Sequence, residues 1–193
     1  MVGMEGLPTL DEIANLSGRD LEAALWAAER VRRGAEAVIA SVVARCDSSL
    51  HYLADGHRSV KQWTMAMTNC SPHEARLRRG TARVFDLMPG ARAGMLAAPV
   101  GVAQVHELAR LAANPRCREH LPASEHVLLD AARTLPFPDF RRVVAHWESL
   151  AEGFCGRAGG VPAWSGWCGR SACVPVPGGR ELGSEALAVA GSV

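Results

Sequence analysis

The sequence predicts an all-α protein: a multi-helix domain with one long N-terminal helix, followed by an irregular Gly/Pro-rich tail. Over residues 1–152, apolar residues recur at intervals of three and four, which is the period of an α-helix. Residues that cap helices precede these runs, and no run before residue 153 sustains the alternation of a β-strand. The hydrophobic content of 48% and the net charge of +1 are typical of a globular chain rather than a disordered one.

The first two helices follow from a capping motif and a long apolar stripe. Thr9 and Glu12 have the spacing of a capping box, which predicts a short first helix. The second helix is predicted to run without interruption from Leu21 to Leu53, a rod of roughly 50 Å. Its stripe consists of Leu21, Ala24, Ala28, Val31, Ala35, Val38, Val42, Cys46, Leu50 and Leu53. Such a stripe suits the core of the domain, which is the default interpretation, or the seam of a dimer.

The remaining helices each have a start or a stop signal. The predicted starts are Ser59, Ser71, Ser124 and Asp139, and the predicted stops are Asp55-Gly56, Pro89-Gly90 and Asn114-Pro115. A further helix is predicted over about 102–112 from its apolar side. The helix after Asp139 has the most regular apolar spacing, through Phe140, Val144 and Trp147.

Basic residues provide the first candidate binding site. Arg76, Arg79 and Arg83 fall on one face of the helix that begins at Ser71, and Arg92 lies nearby in sequence. We therefore predict these four arginines as nucleic-acid contacts, with an ordinary solvated helix face as the alternative interpretation. Residues 1–152 hold 18 basic and 18 acidic residues, so the domain as a whole has no basic excess. A nucleic-acid-binding face would therefore be confined to a small basic patch. Lys61 is the only lysine among the 21 basic residues, and the others are arginines. The codon bias of a GC-rich genome explains this excess of arginine more simply than a phosphate-binding role does.

Two cysteine and histidine pairs have the spacing of metal ligands. Cys70 and His73 form one Cys-x-x-His pair, and Cys117 and His120 form the other. Zinc binding at these four residues is the weaker interpretation, and we expect buried cysteines, exposed histidines and no metal or cofactor. Neither a nucleophile elbow nor a phosphate-binding loop is present, so the sequence assigns no catalytic residue.

Composition changes near residue 153, which divides the chain into a predicted helical domain (1–152) and a tail (153–193). The tail holds 10 of the 19 glycines and no histidine. The first twenty residues lack the apolar core of a signal peptide, and no apolar run is long enough to cross a membrane. We therefore expect a cytoplasmic protein with no membrane partner.

Seven short blocks of the sequence follow one another in order: DGHRSVKQW (55–63), SPHEA (71–75), VAQVHELA (102–109), AANPR (112–116), RTLPF (133–137), DFRRVV (139–144) and WE (147–148). In this order they resemble the domain-of-unknown-function 222 family, the actinobacterial thirteen-E-twelve repeat proteins. The similarity extends weakly back to about Leu10 and covers roughly three quarters of the chain. The resemblance implies a helical N-terminal module that is commonly followed by an HNH nuclease, whose histidines act as general base and as ligand of a divalent metal.

The tail cannot supply those HNH residues because it has no histidine. We therefore expect a non-catalytic helical module, from a frameshifted or truncated copy, that associates with nucleic acid. The alternative function is a protein-interaction or dimerisation module that uses the long helix over 21–53. An active nuclease would need a partner chain that carries the HNH motif.

Overall fold

A computed structural model describes residues 7–154, and this part of the chain confirms the predicted all-α class. Its ten helices, without any strand, lie within one compact unit. They are α1 (Leu10–Ile13), α2 (Arg19–Ser48), α3 (His51–Ala54), α4 (Val60–Thr68), α5 (Pro72–Leu87), α6 (Pro89–Leu96), α7 (Val102–Ala113), α8 (Pro115–Arg118), α9 (Leu121–Thr134) and α10 (Phe137–Phe154). The predicted tail (153–193) lies outside the described residues except for its first two.

Three of the predicted helix caps, at Thr9, Ser59 and Ser71, form as the sequence indicates. The backbone N–H of Glu12 donates to Thr9 Oγ1 at 3.3 Å, and Thr9 N donates to Glu12 Oε2 at 2.7 Å, which completes the capping box. Ser59 caps α4 and Ser71 caps α5 through their side-chain oxygens. Each cap satisfies an amide that the helix itself leaves without a partner.

The prediction of one helix from Leu21 to Leu53 is wrong at its C-terminal end. α2 ends at Ser48, and Leu50 adopts a left-handed backbone conformation with φ of 55° before α3 begins. The hydroxyls of Ser48 and Ser49 donate to backbone carbonyls three residues earlier, at 3.1 and 3.4 Å. Serine side chains that bond locally in this way compete with continued helix hydrogen bonding, which accounts for the interruption.

Three further helix boundaries differ from the prediction because proline begins a helix as readily as it ends one. Pro89 is the first residue of α6, a helix that the sequence analysis missed. α9 begins at Leu121, so the predicted start at Ser124 is wrong and that residue is buried inside the helix. α10 begins at Phe137, two residues before the predicted start at Asp139.

The core forms around α5, which packs most extensively against α7 and α2 and also contacts α4 and α6. On the other side of α7, α10 closes the domain and contacts α8 and α9 as well. The largest fully buried side chains include Phe140, Met88, Met95, Leu108, Leu111, Leu121 and Leu128. Phe140, Val144 and Trp147, which were predicted for the apolar side of α10, are all buried.

The apolar stripe predicted for α2 is not the face that enters this core. The buried residues of α2 are Gly34, Ala37, Ala40, Val43 and Cys46, and only Cys46 belongs to the predicted stripe. Small residues on this face let neighbouring helices approach closely. The core interpretation of the stripe is therefore wrong, and most of its residues face solvent in the single chain.

None of the helices between residues 7 and 154 has both the length and the apolar content needed to cross a bilayer.

Candidate interaction surface

α2 has two apolar faces, and only one of them is packed. The second face, here named the α2 stripe, consists of Leu21, Ala24, Ala28, Val31, Ala35, Val38 and Val42. These residues recur at alternating steps of three and four, as the a and d positions of a coiled coil do. At the angular period of an α-helix, the stripe lies roughly opposite the buried face. Val38 and Val42 are 55% and 51% exposed, so the stripe is open to solvent even in the C-terminal half of α2, whose other face is buried in the core.

The N-terminal half of α2 contributes no residue to the core. Gly34 is the first buried residue of this helix, and none of the preceding residues from Arg19 onward is buried. This half nevertheless carries large apolar side chains, with Leu25 73% and Trp26 56% exposed. The segment is therefore an arm of about four turns whose apolar residues are at most half-buried within the described part of the chain.

Arg33 fixes the base of this arm to the domain. Its guanidinium donates to the backbone carbonyl of Ala98 and, through Nε, to Glu29 Oε1 at 2.9 Å. The same guanidinium lies 5.1 Å from the centre of the Trp26 ring, a cation–π distance. Hydrogen bonds from Arg32 and Arg33 also hold the pKa of Glu29 below its usual value. These contacts orient the arm and leave the α2 stripe uncovered.

A groove of about 420 Å³ lies beside the C-terminal half of the α2 stripe. It is lined by Ala37, Val38, Ser41, Val42, Arg45, Cys46, Ser49, His51, Trp63, Arg92 and Leu96. Trp63 meets the edge of the His51 ring at a centroid distance of 6.3 Å, which builds one wall. Within residues 7–154, Arg45 and Arg92 form no ion pair, so this mostly apolar groove carries two uncompensated cations.

The structure brings together some of the arginines predicted to contact nucleic acid, but not all four. Arg79 and Arg83 line a second groove of about 250 Å³ between α2 and α5, and Arg76 lies exposed on the same helix. Arg79 also approaches Asp47, with an Nε–Oδ2 distance of 3.6 Å. Arg92 lines the apolar groove instead, because it belongs to the separate helix α6. The predicted set is therefore divided between two faces of α2.

Arg118 is a residue near this set that the sequence analysis did not identify. Burial, and after it the nearby charges of Arg118 and Arg79, lower the pKa of Arg83. Positive charge is therefore concentrated around Arg83, although Asp47 and Asp86 line the same groove. Arg118 was missed because α8 follows α5 by more than 25 residues, and only folding brings the two helices close.

The two predicted cysteine and histidine pairs do not form one metal-binding group within the described residues. Cys117 instead groups with Glu148 and Glu152, whose ligand atoms lie within 4.8 Å of one another. Burial, followed by the charges of these two carboxylates, raises the pKa of the Cys117 thiol, which disfavours the thiolate that binds metal.

Both of those carboxylates already have partners. Arg110 Nη1 donates to Glu148 Oε2 at 2.7 Å, and Asn114 Nδ2 donates to Glu152 Oε1 at 2.9 Å. These contacts join α7 to α10 and account for the positions of both side chains. Within the described residues, Cys46, Cys70 and Cys117 are free thiols, and Cys70 is half-buried. His73 lies in α5, whereas His120 lies in the turn between α8 and α9.

The fold and the α2 stripe define a helical domain in which one helix, α2, has a second apolar face that is open to solvent. No protein-family model, curated protein or solved structure matches this chain. The resemblance to the domain-of-unknown-function 222 family and the association with HNH nucleases therefore stay predictions.

Proposed function

We propose that this domain is a protein-association module that binds through the α2 stripe and forms dimers of the chain. The observation that carries the proposal is the arm of α2, in which no residue is buried although Leu21 and Leu25 belong to it. Helices in proteins gain most of their stability by packing an apolar face, and an isolated helix of about 12–15 residues is marginal in water. A partner that covers the α2 stripe supplies the missing packing.

The spacing of the α2 stripe favours a helix as the covering surface. Seven residues in steps of three and four make a seam about three heptads long, which suits knobs-into-holes packing by a second helix. Exposed contiguous apolar patches on monomeric domains commonly mark protein interfaces. The small residues Ala24, Ala28 and Ala35 leave room for close approach along the seam.

Sedimentation of the full chain over a range of concentrations tests this function. We expect a mass that rises with concentration toward that of a dimer, because apolar association follows mass action. Val38→Asp places a charge in the seam and should keep the protein monomeric. Leu53→Asp is the matched control, since Leu53 is 54% exposed but lies outside α2.

A monomeric wild-type chain at every concentration would refute the proposal. An equal loss of association in Val38→Asp and Leu53→Asp would also count against it, because the interface would then not be specific to the α2 stripe. Far-ultraviolet circular dichroism shows whether each variant keeps its helices.

Nucleic-acid association through Arg76, Arg79 and Arg83 is a second candidate function. It is favoured by the concentration of positive charge that Arg118 and Arg79 create around Arg83. Under this proposal the domain positions nucleic acid and performs no chemistry. A divalent metal and the catalytic histidines would belong to an HNH module, as the family resemblance implies.

Binding to duplex DNA at two salt concentrations tests this candidate. Replacing the three arginines by alanine should weaken binding and reduce the slope of log affinity against log salt by about 2.7, which is three phosphate contacts at about 0.9 each. A control variant with Arg133, Arg141 and Arg142 replaced by alanine loses the same charge elsewhere. Equal effects of the two variants would reduce the interaction to general attraction and remove the assigned site.

A further inference from the structure

We propose that the α2 stripe packs antiparallel against the α2 stripe of a second copy, so that Leu21 of each copy lies at the end of the apolar groove of the other. This inference rests on the proposed function and adds the orientation and register of the dimer. It starts from the unequal ends of the α2 stripe. Leu21 begins the stripe on the arm, whereas the groove lies beside its opposite end.

One antiparallel register pairs every small residue of the α2 stripe with a valine. Ala24 then faces Val42 of the second copy, Ala28 faces Val38, and Val31 faces Ala35. In each of these layers one alanine leaves the space that one valine fills. The register repeats itself through the two-fold axis, so both copies bury the same residues, as an isologous interface requires.

The same register brings Leu21 to the end of the groove. Leu21 falls opposite Arg45 of the second copy, one layer beyond the pair of Ala24 and Val42, and both Arg45 and Val42 line the groove. Leu21 is 45% exposed in the single chain, and this contact covers it. Leu25 lies about 90° from the stripe, on the flank away from the groove, so it stays outside this contact.

Charge also favours the antiparallel orientation over the parallel one. Arg45 and Arg92 at the groove form no ion pair within the described residues, and Asp20 lies in the first turn of α2, on the same flank of the stripe as Arg45. Antiparallel packing brings Asp20 of one copy next to the groove arginines of the other. Parallel packing would instead place Arg45 beside Arg45.

Thiol cross-linking of the full chain tests the orientation. Ala28→Cys and Val38→Cys are each prepared, mixed, and treated with a short thiol cross-linker, with the wild-type chain as the baseline for the native cysteines. We expect a cross-linked dimer in the mixture at several times the baseline. Ala28→Cys alone should stay at the baseline, because the antiparallel register separates the two copies of residue 28 by ten positions, about 15 Å along the axis.

A mixture of Ala28→Cys with Leu53→Cys is the matched control and should also stay at the baseline. Efficient cross-linking of Ala28→Cys by itself, in a chain that sediments as a dimer, would overturn the antiparallel orientation while the association function stands. A chain that sediments as a monomer would overturn both. A dimer in which neither mixture cross-links would overturn the register and leave the association function intact.

Discussion

Replacing Leu21 by alanine should weaken the dimer without destabilising the single chain. Leu21 belongs to the α2 stripe, is 45% exposed and lies on the arm of α2, where no residue is buried. The substitution therefore removes no core contact, and alanine is the best helix former. We expect the unfolding free energy of the monomer to stay within about 0.5 kcal/mol of the wild type, as for other surface substitutions.

The effect on association follows from the exposed area of Leu21. Fully burying a leucine side chain contributes about 1.5–3 kcal/mol relative to exposing it to water. Since nearly half of Leu21 is exposed before association, its burial contributes about 0.7–1.4 kcal/mol at each of two equivalent contacts. The variant should lose about 1.4–2.7 kcal/mol of binding free energy, which raises the dimer Kd by about 10- to 100-fold.

Sedimentation equilibrium across a concentration series measures this Kd directly. Leu10→Ala is the control, because Leu10 is even more exposed, at 86%, but belongs to α1. The reasoning fails if both alanine variants shift the Kd equally, or if Leu21→Ala shifts it by less than about threefold, since the leucine would then remain in water in the dimer.

Three further predictions concern the stability of the domain and are checked by chemical denaturation. Leu50→Gly should stabilise it by about 0.5–1 kcal/mol because Leu50 has φ of 55°, whereas Leu53→Gly, equally exposed but helical, should destabilise it by about 1 kcal/mol; the same sign for both would contradict the backbone explanation. Gly94→Ala should cost about 1–3 kcal/mol because the new Cβ would lie 2.6 Å from a buried valine methyl, while Gly153→Ala meets nothing within 4 Å and should be neutral or stabilising. Burial lowers the pKa of His106, so the unfolded chain binds the proton more readily and stability should fall as the pH drops below about 6.5; His106→Gln should flatten this part of the pH profile, and an unchanged profile would assign the loss to other groups.

Local signals in the sequence predicted three of the helices that have a side-chain cap, but not α8, which Asn114 caps. Thr9, Ser59 and Ser71 each begin a helix in the structure as predicted, because the cap depends only on residues three positions away. Pro89 was interpreted as a stop although it begins α6. Proline is compatible with both roles, and the neighbouring helices determine which one it takes.

In the candidate sites, too, local spacing predicted some residues, and only the packing of helices brought the others together. The spacing of Arg76, Arg79 and Arg83 correctly placed them on one helix, whereas Arg92 belongs to another groove. Arg118 gave no local signal, because its relation to Arg83 arises from the packing of separate helices. The spacing within the two cysteine and histidine pairs likewise says nothing about how the pairs meet, and the described residues do not bring them into one group.

The sequence by itself determined that this protein is helical and that its second helix carries a long apolar stripe. Periodicity and capping express hydrogen bonding and side-chain direction over one or two turns, so they are readable without a fold. Only the tertiary structure decided which face of that helix is buried. The core selected Gly34, Ala37, Ala40 and Val43, whose small side chains let α2 approach its neighbours, and left the more obvious stripe in solvent. Periodicity reports that a face is apolar, but packing complementarity decides what covers it.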